Sequence, residues 1–150
     1  MIKIYIFVDS YKHFENSIKE YEKRLGKDIE LIKIKPSKKT DSNSIIIDET
    51  NLLKEKLKKE KAYKVVLNPN GKSFQTETFL DFVERKKLNY GNLVFCVGGA
   101  YGFDYKLLKS SIDFEMKLGD FTMPHSLALL VLLEQIYRIQ MMKKGTSYHK

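Results

Sequence analysis

Three stretches of this chain combine residue types and spacing that suit the close approach of a ligand. They are Leu67-Asn-Pro-Asn-Gly-Lys72, Gly98-Gly-Ala-Tyr-Gly102 and Leu118-Gly-Asp-Phe-Thr-Met-Pro-His125. The glycines let backbone come near a bound molecule without interference from side chains. In an open α/β sheet, ligands gather at the carboxyl ends of the strands, and each stretch closes or follows a strand-like run. The glycine loop is not a P-loop, because no Gly-Lys-Ser/Thr follows it. Nor is it the usual dinucleotide fingerprint, which follows a first strand, whereas this loop follows a fourth. Arg138 and the tail Tyr148-His149-Lys150 add polar and cationic groups. Three histidines and one cysteine, widely separated, make no metal-ligand pattern, so no metal is expected.

The elements that must position these stretches alternate in type. Ile2–Val8, Ile29–Lys35, Lys64–Leu67, Asn92–Val97 and Phe114–Leu118 read as strands, rich in β-branched and aromatic residues. Between them, Phe14, Ile18, Tyr21 and Leu25 recur at helical spacing, and Gly26 stops that helix. A charged helix is expected over Ile45–Lys61, although Ile45-Ile46-Ile47 could form a short extended piece. Thr76–Lys87 follows as a helix, and Asp104 can cap a short one over Tyr105–Ser110. Pro36–Ser44 reads as a polar loop. The last helix spans His125–Lys144, with Pro124 in its first turn. Alternation of this kind predicts right-handed crossovers and a mostly parallel sheet with helices on both faces. No linker divides the chain, so residues 1–150 are expected to form a single domain.

Leu127 through Leu133 are apolar all round the last helix, so it is buried on most sides. Either a second subunit covers part of it, or it is the central helix of a monomer core. The composition, 43% hydrophobic and 12% aromatic, is that of a folded protein. No stretch approaches the roughly 20 apolar residues of a membrane span, and Met1 leads into a strand-like run with no cleavage site. The lone Cys96 suits a reducing compartment, and a cytoplasmic, membrane-free protein is expected. A formal charge of +8 favours an anionic partner such as RNA, though lysine runs such as Lys54–Lys61 read equally as solvated helix faces.

Taken together, several pieces resemble one family. These are Glu20-Tyr-Glu-Lys-Arg-Leu25, Leu67 with Gly71-Lys72, Val97-Gly-Gly-x-x-Gly102, Thr122-Met-Pro-His125, Leu132-Leu-Glu-Gln-Ile-Tyr-Arg138 and the end Tyr148-His149-Lys150. In this order and spacing they resemble the RlmH (YbeA) type of SPOUT methyltransferase, over the full length of the chain. The resemblance implies an α/β fold with a trefoil knot in the C-terminal half. It implies S-adenosylmethionine as cofactor, held by Leu67, Gly98, Gly99, Gly102 and the loop Leu118, Gly119, Asp120, Phe121, Thr122 and Met123. It implies a homodimer formed through the knot helices, and methyl transfer to N3 of a pseudouridine in 23S rRNA on the assembled ribosome.

That reaction needs orientation, proximity and an acceptor for the N3 proton. Histidine titrates near neutrality, so His149 is the expected proton acceptor, with Tyr148 beside it to stack on a base. Arg138, His149 and Lys150 are the expected RNA contacts. The chain departs from its relatives at Leu129, where many carry arginine, at Asn68, where an acidic residue is common, at Gly119, where serine is common, and at Val8-Asp-Ser10, where relatives have Val-Gly-Lys. Leu129 bears most on function, by removing a cation expected near the dimer interface or substrate. Two other readings stay open: a SPOUT enzyme with another RNA target, and a catalytically silent ribosome- or RNA-binding homologue.

Overall fold

The computed structural model describes residues 1–150. Five strands form one parallel sheet in the order β2-β1-β4-β3-β5. They are β1 (Ile2–Phe7), β2 (Ile29–Ile34), β3 (Tyr63–Lys72), β4 (Leu93–Val97) and β5 (Phe114–Met116). The helices are α1 (Glu15–Leu25), α2 (Ser42–Lys58), α3 (Thr76–Tyr90), α4 (Tyr105–Leu108) and α5 (His125–Lys143). Helices α1, α3 and α5 pack together on one face, and α2 and α4 meet on the other.

Strand side chains alternate between these two layers. Ile2, Ile4, Ile6 and Val8 enter the larger core cluster with Ile18 of α1, Phe79 of α3 and Leu132 of α5. Tyr5 and Phe7, pointing the other way, pack with Leu53 and Leu57 of α2 and Leu108 of α4. Burial on both faces explains the nearly unbroken apolar run of β4, whose five residues are all buried.

Several element ends shift by one to three residues from the sequence reading, and two boundaries differ in ways that bear on the site. Helix α2 begins at Ser42, because the Asp41 side chain accepts a hydrogen bond from Ser44 N–H at 2.9 Å. The three isoleucines therefore lie inside the helix. Strand β3 continues beyond Leu67 to Lys72, through the residues that read as a turn. Both Leu67 and Lys72 align with Met116 of β5, so the segment between them bulges out of the ladder at the carboxyl end of the sheet. The shift needs Gly71, since a Cβ there would lie 2.7 Å from backbone atoms of Glu115 and Met116.

Helix α5 buries Ser126, Leu129, Leu132, Leu133, Ile136 and Ile139 against the sheet, α1 and α3. Leu127 and Val131, on its other side, are only half-buried, and the half-buried Leu130 lies at the edge between that side and the core. Leu129 itself is completely buried in the core. That corrects its sequence-based placement, because residue 129 of this chain faces neither solvent nor an open groove. An arginine at this site would carry its charge into an apolar core. No helix is long and apolar enough to cross a membrane.

Candidate active site

The three stretches singled out in the sequence converge. The bulged end of β3, the loop after β4 and the loop between β5 and α5 enclose a cavity of about 550 Å³. Leu67, Gly98, Gly99, Gly102, Leu118, Phe121, Thr122 and Met123 all line it. Gly119 and Asp120 do not, because Asp120 turns outward to an ion pair with Lys117. The glycine loop is folded tightly. Gly102 N–H donates to Gly99 O at 3.1 Å, and a Cβ on Gly98 would come within 3.0 Å of Gly102 Cα. Gly102 has a φ of 72°, in the left-handed region that glycine occupies readily.

Residues given no site role from the sequence complete the wall. Tyr105 donates from its hydroxyl to Leu67 O at 3.3 Å, tying α4 to the end of β3. Asn68 is buried, donates from Nδ2 to Glu115 Oε1 at 2.9 Å and accepts from Asn70 N–H at 2.9 Å. Met116, His125 and Ala128 close the floor. Burial, and then the charge of Lys12, lower the pKa of His125, so its ring is neutral at physiological pH. Its position was legible as a helix start; its place on the cavity wall depends on how α5 docks. Phe121 stands 91% exposed at the rim, and Tyr101, which also lines the cavity, is exposed as well.

The tail lies elsewhere. Tyr148 Oη donates to Glu134 Oε2 at 2.8 Å and lies 3.2 Å from Tyr21 Oη. Arg138 pairs with Glu134, Nη2 to Oε2, at 2.9 Å and sits over the Tyr148 ring. Burial pushes Glu134 up, but hydrogen bonds from Arg138, Tyr148 and Gln135 outweigh it and hold the carboxylate below its ordinary range. The Tyr148 hydroxyl is raised, by burial first and then by its bonds to Tyr21 and Glu134. His149 Nδ1 is 3.2 Å from Arg138 Nη1, and Nε2 is 3.0 Å from Glu77 Oε1. Arginine can only donate, so Nδ1 accepts and the Nε2 proton points to Glu77. Lys150 is exposed at the end of the chain. None of Arg138, Tyr148, His149 and Lys150 lines the cavity. Arg138 is thirteen residues along α5 from His125, or about 20 Å at the helical rise. Glu134, given no role from sequence, is the anchor of this cluster; its i, i+4 spacing to Arg138 was the available sign.

Cavity, glycine loop and apolar α5 invite comparison with known proteins. Residues 1–149 match the family described as "Predicted SPOUT methyltransferase". The chain belongs to the SPOUT methyltransferases. It is 36% identical over 148 residues to "Ribosomal RNA large subunit methyltransferase H" of Streptococcus agalactiae serotype III (strain NEM316), covering 93% of this chain and 92% of that protein. The protein of the same name from Lactococcus lactis subsp. cremoris (strain SK11) is 35% identical over 153 residues, with the same coverage. That from Fusobacterium nucleatum subsp. nucleatum is 32% identical over 143 residues. Within the SPOUT methyltransferases the chain thus groups with the RlmH type, and the family fold implies the C-terminal knot. SPOUT enzymes generally use S-adenosylmethionine. The cavity here has the size of a small-molecule site and mixes apolar walls with close backbone, which fits such a ligand.

Proposed function

We propose that this protein transfers a methyl group from S-adenosylmethionine to N3 of a pseudouridine in 23S rRNA, on the assembled ribosome, and that it works as a homodimer in the cytoplasm. The observation that carries the reading is one cavity assembled from the loops after β3, β4 and β5 in a chain that matches ribosomal RNA methyltransferases over 93% of its length. The cofactor supplies an electrophilic methyl sulfonium. Leu67, Gly98, Gly99, Gly102, Leu118 and Met123 hold it through apolar contact and backbone approach. The chain's remaining tasks are to orient the base and accept the N3 proton as the new N–CH₃ bond forms.

His149 is the proposed acceptor, with Tyr148 against the base and Arg138 and Lys150 on phosphate. In the arrangement seen here both ring nitrogens of His149 are engaged and the tail is remote from its own protomer's cavity. Antiparallel pairing of two α5 helices through Leu127, Leu130 and Val131 brings the tail of one protomer toward the cavity of the other. The half-buried apolar side of α5 supports this pairing.

The test is transfer of labelled methyl to ribosomes from a strain lacking this gene, followed by mapping of the labelled nucleotide. Label on a large-subunit pseudouridine is expected. Label on another RNA would change the substrate, and no label from a folded dimer would favour an RNA-binding protein without catalysis. His149→Ala is expected to lower transfer by about 10²-fold or more; a parental rate would remove His149 as the acceptor.

A further inference from the structure

A second cavity, of about 240 Å³, opens beside the first. It lies between the carboxyl ends of β1 and β4. From these neighbouring strands the chain leaves in opposite directions, β1 toward β2 and β4 toward β5, with α1 and α4 on opposite faces. Such a reversal is where open α/β sheets form their binding crevice. The two cavities share Ala100, Tyr101 and His125.

Glu49 of α2 lines this second cavity and is 3% exposed. Its Oε2 accepts from Ser37 N–H at 2.9 Å. Its Oε1 is buried with no hydrogen-bond partner. A Cβ on Gly99 would come within 2.8 Å of that oxygen, so the glycine loop lies directly against it. At the rim are Ser10 and Lys12, both exposed. Lys12 has a φ of 49°, a strained conformation for a residue with a side chain. Buried acceptors are almost always satisfied, and strained backbone gathers at binding sites.

We propose that this cavity receives the target base, and that Glu49 Oε1 accepts a hydrogen bond from its N1–H. The inference rests on the function proposed above. The base's N3 must face the methyl donor in the first cavity, so the opposite edge points into the second. Pseudouridine is joined to its ribose through carbon and keeps a free N1–H, whereas N1 of uridine is the glycosidic nitrogen and carries no proton. A lone acceptor at that position therefore distinguishes pseudouridine from uridine. Lys12 at the rim holds the adjoining phosphate.

The experiment compares methyl transfer to two ribosome preparations, one carrying the pseudouridine and one carrying uridine at the same position. It uses the parent protein, Glu49→Gln and Ser10→Trp. The parent is expected to prefer pseudouridine at least tenfold. Glu49→Gln, with cofactor binding intact and a melting temperature no lower than the parent's, is expected to lose most of that preference through a raised KM for the pseudouridine substrate. Ser10→Trp, which fills the cavity from its exposed rim and leaves the Glu49 side chain in place, is expected to abolish transfer while cofactor still binds. Parental rate and preference in Glu49→Gln, or undiminished transfer in Ser10→Trp, would overturn the assignment. If the parent methylates neither preparation, the proposed function fails and the assignment falls with it.

Discussion

Glu49 shows how one side chain can set stability against use. Burial raises its pKa above the ordinary carboxylate value, against the opposing Ser37 N–H. A carboxyl group raised on folding contributes stability fully below its unfolded pKa and loses it as pH rises through the folded one. In its ionised form Glu49 is therefore a net cost to the fold. Glu49→Gln is expected to melt higher than the parent at pH 8 by roughly 2 °C, a difference that closes toward about pH 4. Calorimetry at the two values checks the sign; a variant that melts lower at pH 8 would mean that the carboxylate stabilises the fold. Asn68 carries the opposite lesson. Its amide donates to Glu115, so the acidic residue common in relatives would place two carboxylates in contact here. Asn68→Asp is expected to cost about 1–3 kcal/mol at pH 7, less near pH 4, read as a shift in urea midpoint.

At the level of elements, the bulged end of β3 is the part that helps build the large cavity and the part that sequence reading placed outside the strand. Asn68-Pro-Asn-Gly has the composition of a turn, and locally it is one. Lys72 then returns to pair with Met116, a contact with β5 that no local pattern announces. Gly71→Ala is expected to lose about 1–3 kcal/mol, because its Cβ would meet backbone that cannot yield, and to weaken cofactor binding through Leu67. Gly119→Ala, with nothing within 4 Å of the added atom, is expected to stay within about 0.5 kcal/mol of the parent. Urea unfolding and titration with S-adenosylmethionine read both. The alternation of strands and helices, the Asp104 cap and the convergence of three loops were legible, because each depends on local periodicity or on the rule that strand ends carry sites. The second cavity was not. Glu49 reads as one more charge on a charged helix, and it becomes a buried acceptor only when the loops after β2 and β4 close over it.

For the whole molecule, the decisive fact is that the large cavity lies at the start of α5 while the tail packs on Glu134 and Arg138, farther along the helix. A site that needs both is incomplete in one protomer, while the half-buried Leu127, Leu130 and Val131 offer a surface for a second copy. Placing a charge there separates oligomerisation from folding. Val131→Arg is expected to elute as a folded monomer and to lose methyl transfer by about tenfold or more, because an unpaired buried charge costs more than such a contact returns. Sharing of parts between protomers has a sharper consequence. Thr122→Trp blocks the cavity, and His149→Ala removes the proposed proton acceptor; each homodimer is expected to be inactive. When the two are co-expressed with different tags, half of the dimers are hybrids at random pairing. In each hybrid one cavity is sound and the sound tail belongs to the other protomer. If the tail acts across the interface, the mixed population recovers roughly a quarter of the parental activity, carried by the doubly tagged fraction. If the tail swings back to its own cavity, no hybrid holds a complete site, and the doubly tagged fraction stays as inactive as either homodimer.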